Sequence, residues 1–162
     1  MTTPHQPQPN IRPFRPGHDE AAFRRLNEAW LTEYFRIEPK DAQLFDDPIG
    51  QFITSGGDIL VLDADNQTVG CCALIKLGNG TFEIAKMAIA QTHQRRGYGE
   101  LLLHAIIDRA RELGARRLFI ETSSKLPAAI ALYRKLGFTD VPSDLIPASD
   151  YTRVDVFMER SL

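Results

Sequence analysis

The chain has 162 residues, 43% of them hydrophobic and 25% charged, with a formal net charge of −2. That is enough chain for one substantial core and too little to suggest two full-size domains, and its charge balance gives no global reason to bind nucleic acid or an anionic membrane. No apolar run reaches the ~18 to 20 residues of a membrane span, and the only cysteines, Cys71 and Cys72, are adjacent, which offers neither a disulfide framework nor a metal-binding spacing.

The histidines His5, His18, His93 and His104 are dispersed, so no metal is expected, and a reducing, cytoplasmic setting is the natural reading. Residues 1–10 contain three prolines and polar residues without the basic region and apolar core of a signal peptide. They read as a disordered lead-in to one domain over 11–162.

Ile11 to Phe14 is a short strand candidate, and Arg15-Pro16-Gly17 turns into a helix with Asp19 as its N-cap. From Asp19 to about Arg36, Ala22, Phe23, Leu26, Trp30, Leu31 and Tyr34 recur at helical spacing. A shorter helix is expected around Asp41 to Phe45, and Ser55-Gly56-Gly57 ends the helical region. The period then changes. Ile59 to Leu62, Thr68 to Leu77 and Thr81 to Ile89 read as strands joined by tight turns at 63–66 and 78–80, an antiparallel meander. A helix over Gly97 to Leu113, a strand Arg117 to Thr122 and a helix Pro127 to Leu136 follow, the helices stopped by Gly114 and Gly137. Short strands are expected at Phe138 to Val141 and Thr152 to Met158. Hairpins first and helical crossovers later predict an α/β fold: a mixed, mostly antiparallel sheet of about six to seven strands flanked by about four helices.

Two neighbouring features suggest chemistry. In Gln94-Arg95-Arg96-Gly97-Tyr98-Gly99, two glycines at a helix start leave backbone N–H groups open to a phosphate, with Arg95 and Arg96 adding charge. The spacing is neither a Walker pattern nor a full G-x-G-x2-G, and on residues alone a plain helix start is the favoured reading. In the preceding strand, Glu83 and Lys86 interrupt an apolar segment. Strand parity puts Glu83 on the face of Ala85 and Met87, with Lys86 opposite. A carboxylate paired with a cross-strand cation is the plainer alternative. Tyr133 lies on an apolar helix face with Ala129, Leu132 and Leu136, as a packing residue would. His93 is expected to face solvent, and the cysteines to be core.

Gln94-x-x-Gly97-x-Gly99 after an apolar strand, with Ala129-Ile130-x-Leu132-Tyr133-x-x-x-Gly137-Phe138 downstream, resembles the Gcn5-related N-acetyltransferase (GNAT) superfamily. The resemblance spans Ile59 to Phe138 in strand order, and Glu83-Ile84-x-x-x-Ala88-Ile89 looks closest to its histone-acetylating branch. It implies that Gln94, Arg95, Arg96, Gly97, Tyr98 and Gly99 hold the pyrophosphate of acetyl-CoA. It also implies that main-chain groups of Met87, Ala88 and Ile89 contact the pantetheine arm, and that a bulge splays this strand from its neighbour.

The implied activity is N-acetyl transfer to a primary amine by direct attack in a ternary complex, with Glu83 as general base and Tyr133 as general acid. An amine of pKa near ~10 must lose a proton before it attacks, and a phenol of similar pKa can protonate the departing thiolate. Many members carry an asparagine seven residues before this tyrosine. Leu126 stands here, with Ser123 and Ser124 just upstream. The acceptor, a small-molecule amine or a peptide or protein amine, is expected between the first helical region and the C-terminal strands. Trp30, Tyr34, Phe35, Arg36 and the loop Ser143 to Tyr151 are candidates to line its path. A non-catalytic acyl-CoA-binding or protein-interaction module on the same fold is the alternative. An exposed C-terminal strand edge would allow pairing into a homodimer.

Overall fold

The structure is a computed structural model that describes residues 8–162. The disordered segment expected over 1–10 therefore lies mostly outside the described residues, and the first strand, β1, runs Asn10–Pro13. Next come α1 (Glu20–Tyr34), α2 (Pro39–Asp46) and a π-helical turn at Ile49–Ile53. The meander is β2 (Asp58–Ala64), β3 (Gln67–Gly78) and β4 (Thr81–Ile89). Then follow α3 (Tyr98–Glu112), β5 (Arg117–Thr122), α4 (Pro127–Lys135), β6 (Thr139–Asp140) and β7 (Val156–Ser161).

The seven strands form one sheet in the order β1-β2-β3-β4-β5-β7-β6. Only the β4–β5 pairing is parallel. Both meander turns put their central residues in the left-handed region, Asp65 and Asn66 at φ +52 and +61 and Asn79 and Gly80 at +53 and +75. This is the twist-matched geometry of two-residue hairpins, and it explains why Asn and Gly occupy them.

Each face of the sheet buries its own apolar cluster. Leu102, Leu103, Ile106 and Ile107 of α3 pack with Leu74, Phe82 and Ile84 on one side. Phe23, Leu26 and Leu31 of α1 pack with Phe45, Phe52 and Ile59 on the other. Phe23 is the hub of the second, in edge contact with Phe14, Phe45 and Phe52 at centroid distances of 6.3, 6.1 and 5.8 Å. Cys71 and Cys72 are buried free thiols, one in each cluster.

Two local expectations need correction. Asp19 holds the N-cap position of α1 but makes no capping bond. Its carboxylate accepts from Arg12 at 2.8 Å and from the Arg15 N–H at 2.6 Å, which ties β1 to the helix instead. The last strand starts at Val156 rather than Thr152. The Thr152 N–H and hydroxyl and the Arg153 guanidinium are turned to Glu38 and Asp41 of the α2 region, and only the Asp155 N–H reaches across to β5, at the Thr122 carbonyl (3.1 Å). Beyond β7, β6 pairs over two residues only, Thr139 and Asp140. No helix among the described residues is long and apolar enough to cross a membrane.

Candidate active site

The sheet is split down its middle. β4 pairs with β3 along nearly its whole length, but with β5 only at Thr81, Phe82 and Glu83. Beyond Glu83 the two strands part, and the later residues of β4 line a cleft of about 880 Å³ whose far wall comes from β5 and the start of α4. An antiparallel β7 continues the sheet from β5, so the gap is internal rather than an edge.

A bulge accompanies the split. In the register of β3 against β4, Cys71 faces Ala88 and Ala73 faces Ala85, which leaves Lys86 and Met87 opposite the single residue Cys72. Lys86 takes a left-handed φ of +53 there. One extra residue inverts the alternation of faces, and this overturns the expected parity. Glu83 is paired with Ile75, which packs with the α1–α2 cluster, and Lys86 reaches the same side, whereas Met87 packs with the α3 cluster. Glu83 and Lys86 thus share a face, and Glu83 does not face Met87.

At one mouth of the cleft is the glycine turn. A single 3-10 turn at Gln91–His93 leads into it, and Gln94 donates through Nε2 to the Ile89 carbonyl at 3.2 Å. Arg95 and Gly97 are both left-handed, at φ +62 and +80, and Gly97 is the N-cap of α3. A Cβ on Gly97 would meet nothing within 4 Å, and one on Gly99 only Leu132 Cδ2 at 3.7 Å. Packing within the protein therefore leaves the space before both glycines open, as a cradle for a phosphate at the α3 N-terminus requires. Met87, Ala88, Ile89, Gln94, Arg95, Gly97, Tyr98 and Gly99 all line the cleft. Arg96 does not. Its guanidinium bonds the Thr92 carbonyl at 3.4 Å and lies 3.6 Å from Asp65.

His93, expected in solvent, is 6% exposed. Its ring nitrogens bond Thr92 at 2.8 Å and Asp65 at 2.9 Å, and it stacks on Tyr98 at 6.3 Å, bracing the turn against the β2–β3 hairpin.

Tyr133 comes from α4, 7% exposed, with its ring in edge contact with Phe138 at 6.1 Å. It lines the cleft, and its hydroxyl makes no hydrogen bond among the described residues. Burial, with the nearby Cys72 thiol, pushes its phenol above the ordinary value, so it keeps its proton. Of the two serines at the Leu126 corner, Ser123 lines the cleft, while the Ser124 hydroxyl donates to Asp155 at 2.6 Å.

The opposite mouth opens on the α1–α2 face. Burial pushes the Glu83 carboxyl up to about 8, reinforced by the charge of Glu121 and opposed by Lys86 and Lys40. Glu121, on the diverging arm of β5, is also raised by burial, and it accepts from Ser149 Oγ at 3.1 Å. Trp30, Tyr34 and Phe35 line this end, as do Pro147, Ala148, Asp150 and Tyr151, but Arg36 does not.

Sequence patterning does not single out what lies behind this wall. Lys86 Nζ pairs with Asp41, which also takes two bonds from Arg153 at 2.8 Å, and Arg153 reaches Glu38 at 3.1 Å. Burial acts to raise the Asp41 carboxyl, but Arg153 and Lys86 more than offset it and hold the group below the usual range. Lys86 in an apolar strand was the available signal, since a buried lysine needs a carboxylate. Nothing local identified Asp41 as that partner. Among the described residues, no group of three or more His, Cys, Asp or Glu side chains is placed to hold a metal ion.

A family model described as the acetyltransferase (GNAT) family matches residues 20–138. The amino-acid acetyltransferase of Salmonella typhi is 32% identical over 94 residues, covering 55% of this chain and 19% of that protein. That of Yersinia pestis bv. Antiqua (strain Angola) is 30% identical over 88 residues, covering 54% and 19%. The chain therefore spans about a fifth of the length of the curated relatives it matches. Among solved structures, a GNAT-family acetyltransferase from Staphylococcus aureus Mu50 superposes with a TM-score of 0.85 at 18% identity, over 95% of this chain and 99% of that one. N-acetylglutamate synthase from Neisseria gonorrhoeae, complexed with coenzyme A and N-acetyl-glutamate, gives 0.72 at 25% identity, over 98% and 36%.

Proposed function

The chain belongs to the GNAT acetyltransferase family, and from that premise we propose that it transfers an acetyl group from acetyl-CoA to a primary amine by direct attack in a ternary complex. The observation that carries this reading is the split between β4 and β5, a passage through the sheet with an open glycine cradle at one mouth and a raised carboxylate at the other.

Acetyl-CoA supplies the acetyl group as a thioester. The N-terminal turn of α3, with Gly97 and Gly99, holds its pyrophosphate, and Arg95 adds charge there. The main chain of Met87 to Ile89, free of β5, aligns the pantetheine arm and offers an N–H to the carbonyl oxygen where negative charge grows. Glu83 takes one proton from the acceptor ammonium, which frees the nitrogen lone pair for attack. A C–N bond forms as the C–S bond breaks, Tyr133 gives its phenolic proton to the departing sulfur, and the second proton, which the nitrogen sheds as it becomes an amide, passes through solvent to restore the phenol. Burial, with the charge of Glu121, raises the Glu83 carboxyl into a range where it exchanges protons near neutral pH, and burial keeps Tyr133 protonated. Amino-acid and other amine acceptors are both compatible with the names of the relatives.

Release of free coenzyme A thiol from acetyl-CoA against a broad panel of amines, amino acids and peptides tests the reading. Turnover is expected with at least one class, and Tyr133→Phe is expected to lower kcat by ~10-fold or more with acetyl-CoA affinity retained. Tight acetyl-CoA binding without turnover on any acceptor would favour a non-catalytic binding module.

A further inference from the structure

The acceptor mouth contains two cations that cannot serve an incoming anion. Lys86 and Arg153 both line the cleft, yet both are committed to carboxylates behind its wall. Asp41, 0% exposed, accepts from Lys86 Nζ and takes two bonds from Arg153, which also pairs with Glu38 at 3.1 Å. Two positive and two negative charges thus cancel within one buried cluster. The exposed flanks of its cations are covered by rings: Tyr151 lies 4.2 Å from the Arg153 guanidinium carbon and 4.9 Å from the Lys86 ammonium, and Phe45 lies 5.4 Å from the latter.

In front of this cluster the wall is apolar, with Trp30, Phe35, Leu44, Ile75 and Phe119, and it carries two carboxylates, Glu83 and Glu121. Neither has an ion-pair partner within 4.0 Å among the described residues. Asp150 adds a third negative charge nearby. Of the other cations lining this end, Lys40 partly offsets the charge at Glu83, and Lys125 sits 5.7 Å over the ring of Phe35.

An ammonium entering here gains from Glu121 and from the ionised form of Glu83, and an apolar body gains from the aromatic wall. A carboxylate beside the nitrogen meets like charges and finds the buried cations already paired. Resting on the acetyl-transfer reading above, we propose that the acceptor is a primary amine on an apolar body with no carboxylate next to the nitrogen. Asp41 sets that preference by withdrawing Lys86 and Arg153 from the cleft.

The test compares three acceptors with one ring and one chain: 2-phenylethylamine, L-phenylalaninamide and L-phenylalanine, read as kcat/KM from coenzyme A release. The two acceptors without a carboxylate are expected to exceed phenylalanine by ~10-fold or more. Asp41→Asn, which frees cationic charge toward the cleft, is expected to narrow that ratio. Glu38→Gln, which weakens the pairing of Arg153 but leaves that of Lys86 in place, is the milder second variant and should narrow it in the same direction. Phenylalanine or glutamate used as well as the amines would overturn the substrate class while leaving acetyl transfer standing. An unchanged ratio in folded variants would overturn the role of Asp41. Absence of coenzyme A release with every acceptor in the wider panel would sink the acetyl-transfer reading itself.

Discussion

The two halves of the cleft are built by different means. On the proposed reading, the donor half is contiguous main chain, the edge of β4 from Met87 to Ile89 followed within ten residues by the glycine turn. The acceptor half is made of side chains drawn from α1, α2, β4, β5 and the loop before β7. A site built from backbone depends on conformation and empty space, and most of its side chains can vary. A site built from side chains depends on the packing and charge partners of each one, and its chemistry can change while the fold does not.

Four experiments sharpen or break that division. The largest effect is expected at Glu83, an acceptor-side group. Glu83→Gln should lower kcat by roughly 10²- to 10⁴-fold while the acetyl-CoA Kd from calorimetry stays within about twofold. Loss of coenzyme affinity in that variant would mean that the halves are not separable. Next comes Gly97, where a side chain must adopt φ +80 and intrude on the phosphate path. Gly97→Ala should cost ~1 to 2 kcal/mol in strain and weaken acetyl-CoA binding by about 10-fold, with acceptor KM at saturating acetyl-CoA unchanged.

A smaller effect is expected in the pH profile. Glu83 must be ionised to accept a proton, and its carboxyl is raised to about 8. kcat/KM should therefore rise with pH through that region, falling roughly tenfold per unit below it. Lys86 lowers this carboxyl through its charge, so Lys86→Met should move the inflection upward. An unmoved inflection would separate Lys86 from the base. Least is expected of Arg96, whose side chain is turned to Thr92 and Asp65. Arg96→Ala should change the acetyl-CoA Kd by less than about fivefold, the scale of an exposed ion pair, and a larger loss would show that the turn binds through its side chains.

The same division explains what could be read from the sequence. The meander, the two long helices and the turn at Gln94 to Gly99 rest on local periodicity and on residues with special backbone freedom, so short windows reveal them. The bulge at Lys86 does not announce itself locally, and one extra residue was enough to move Lys86 to the face of Glu83 and Met87 away from it. His93 looked like a surface residue because its partner Asp65 is 28 positions away, at a hairpin tip. Thr152 and Arg153 had the composition of a strand start, but Thr152 and the Arg153 side chain bond Glu38 and Asp41, more than 110 positions away. Glu121 sits in an ordinary strand pattern, and its position at the acceptor mouth follows only from the divergence of β5 from β4.

The ion cluster behind the acceptor wall also sets an order of assembly. The bonds between Asp41 and Arg153 join residues 112 positions apart, and Lys86 enters from 45 positions away. During synthesis Asp41 emerges long before either cation, and it cannot be buried at low cost until both have arrived. The donor half is local enough to take shape as it is made. The proposed acceptor half is expected to close late, because the C-terminal loop must dock before the charge on α2 can leave water.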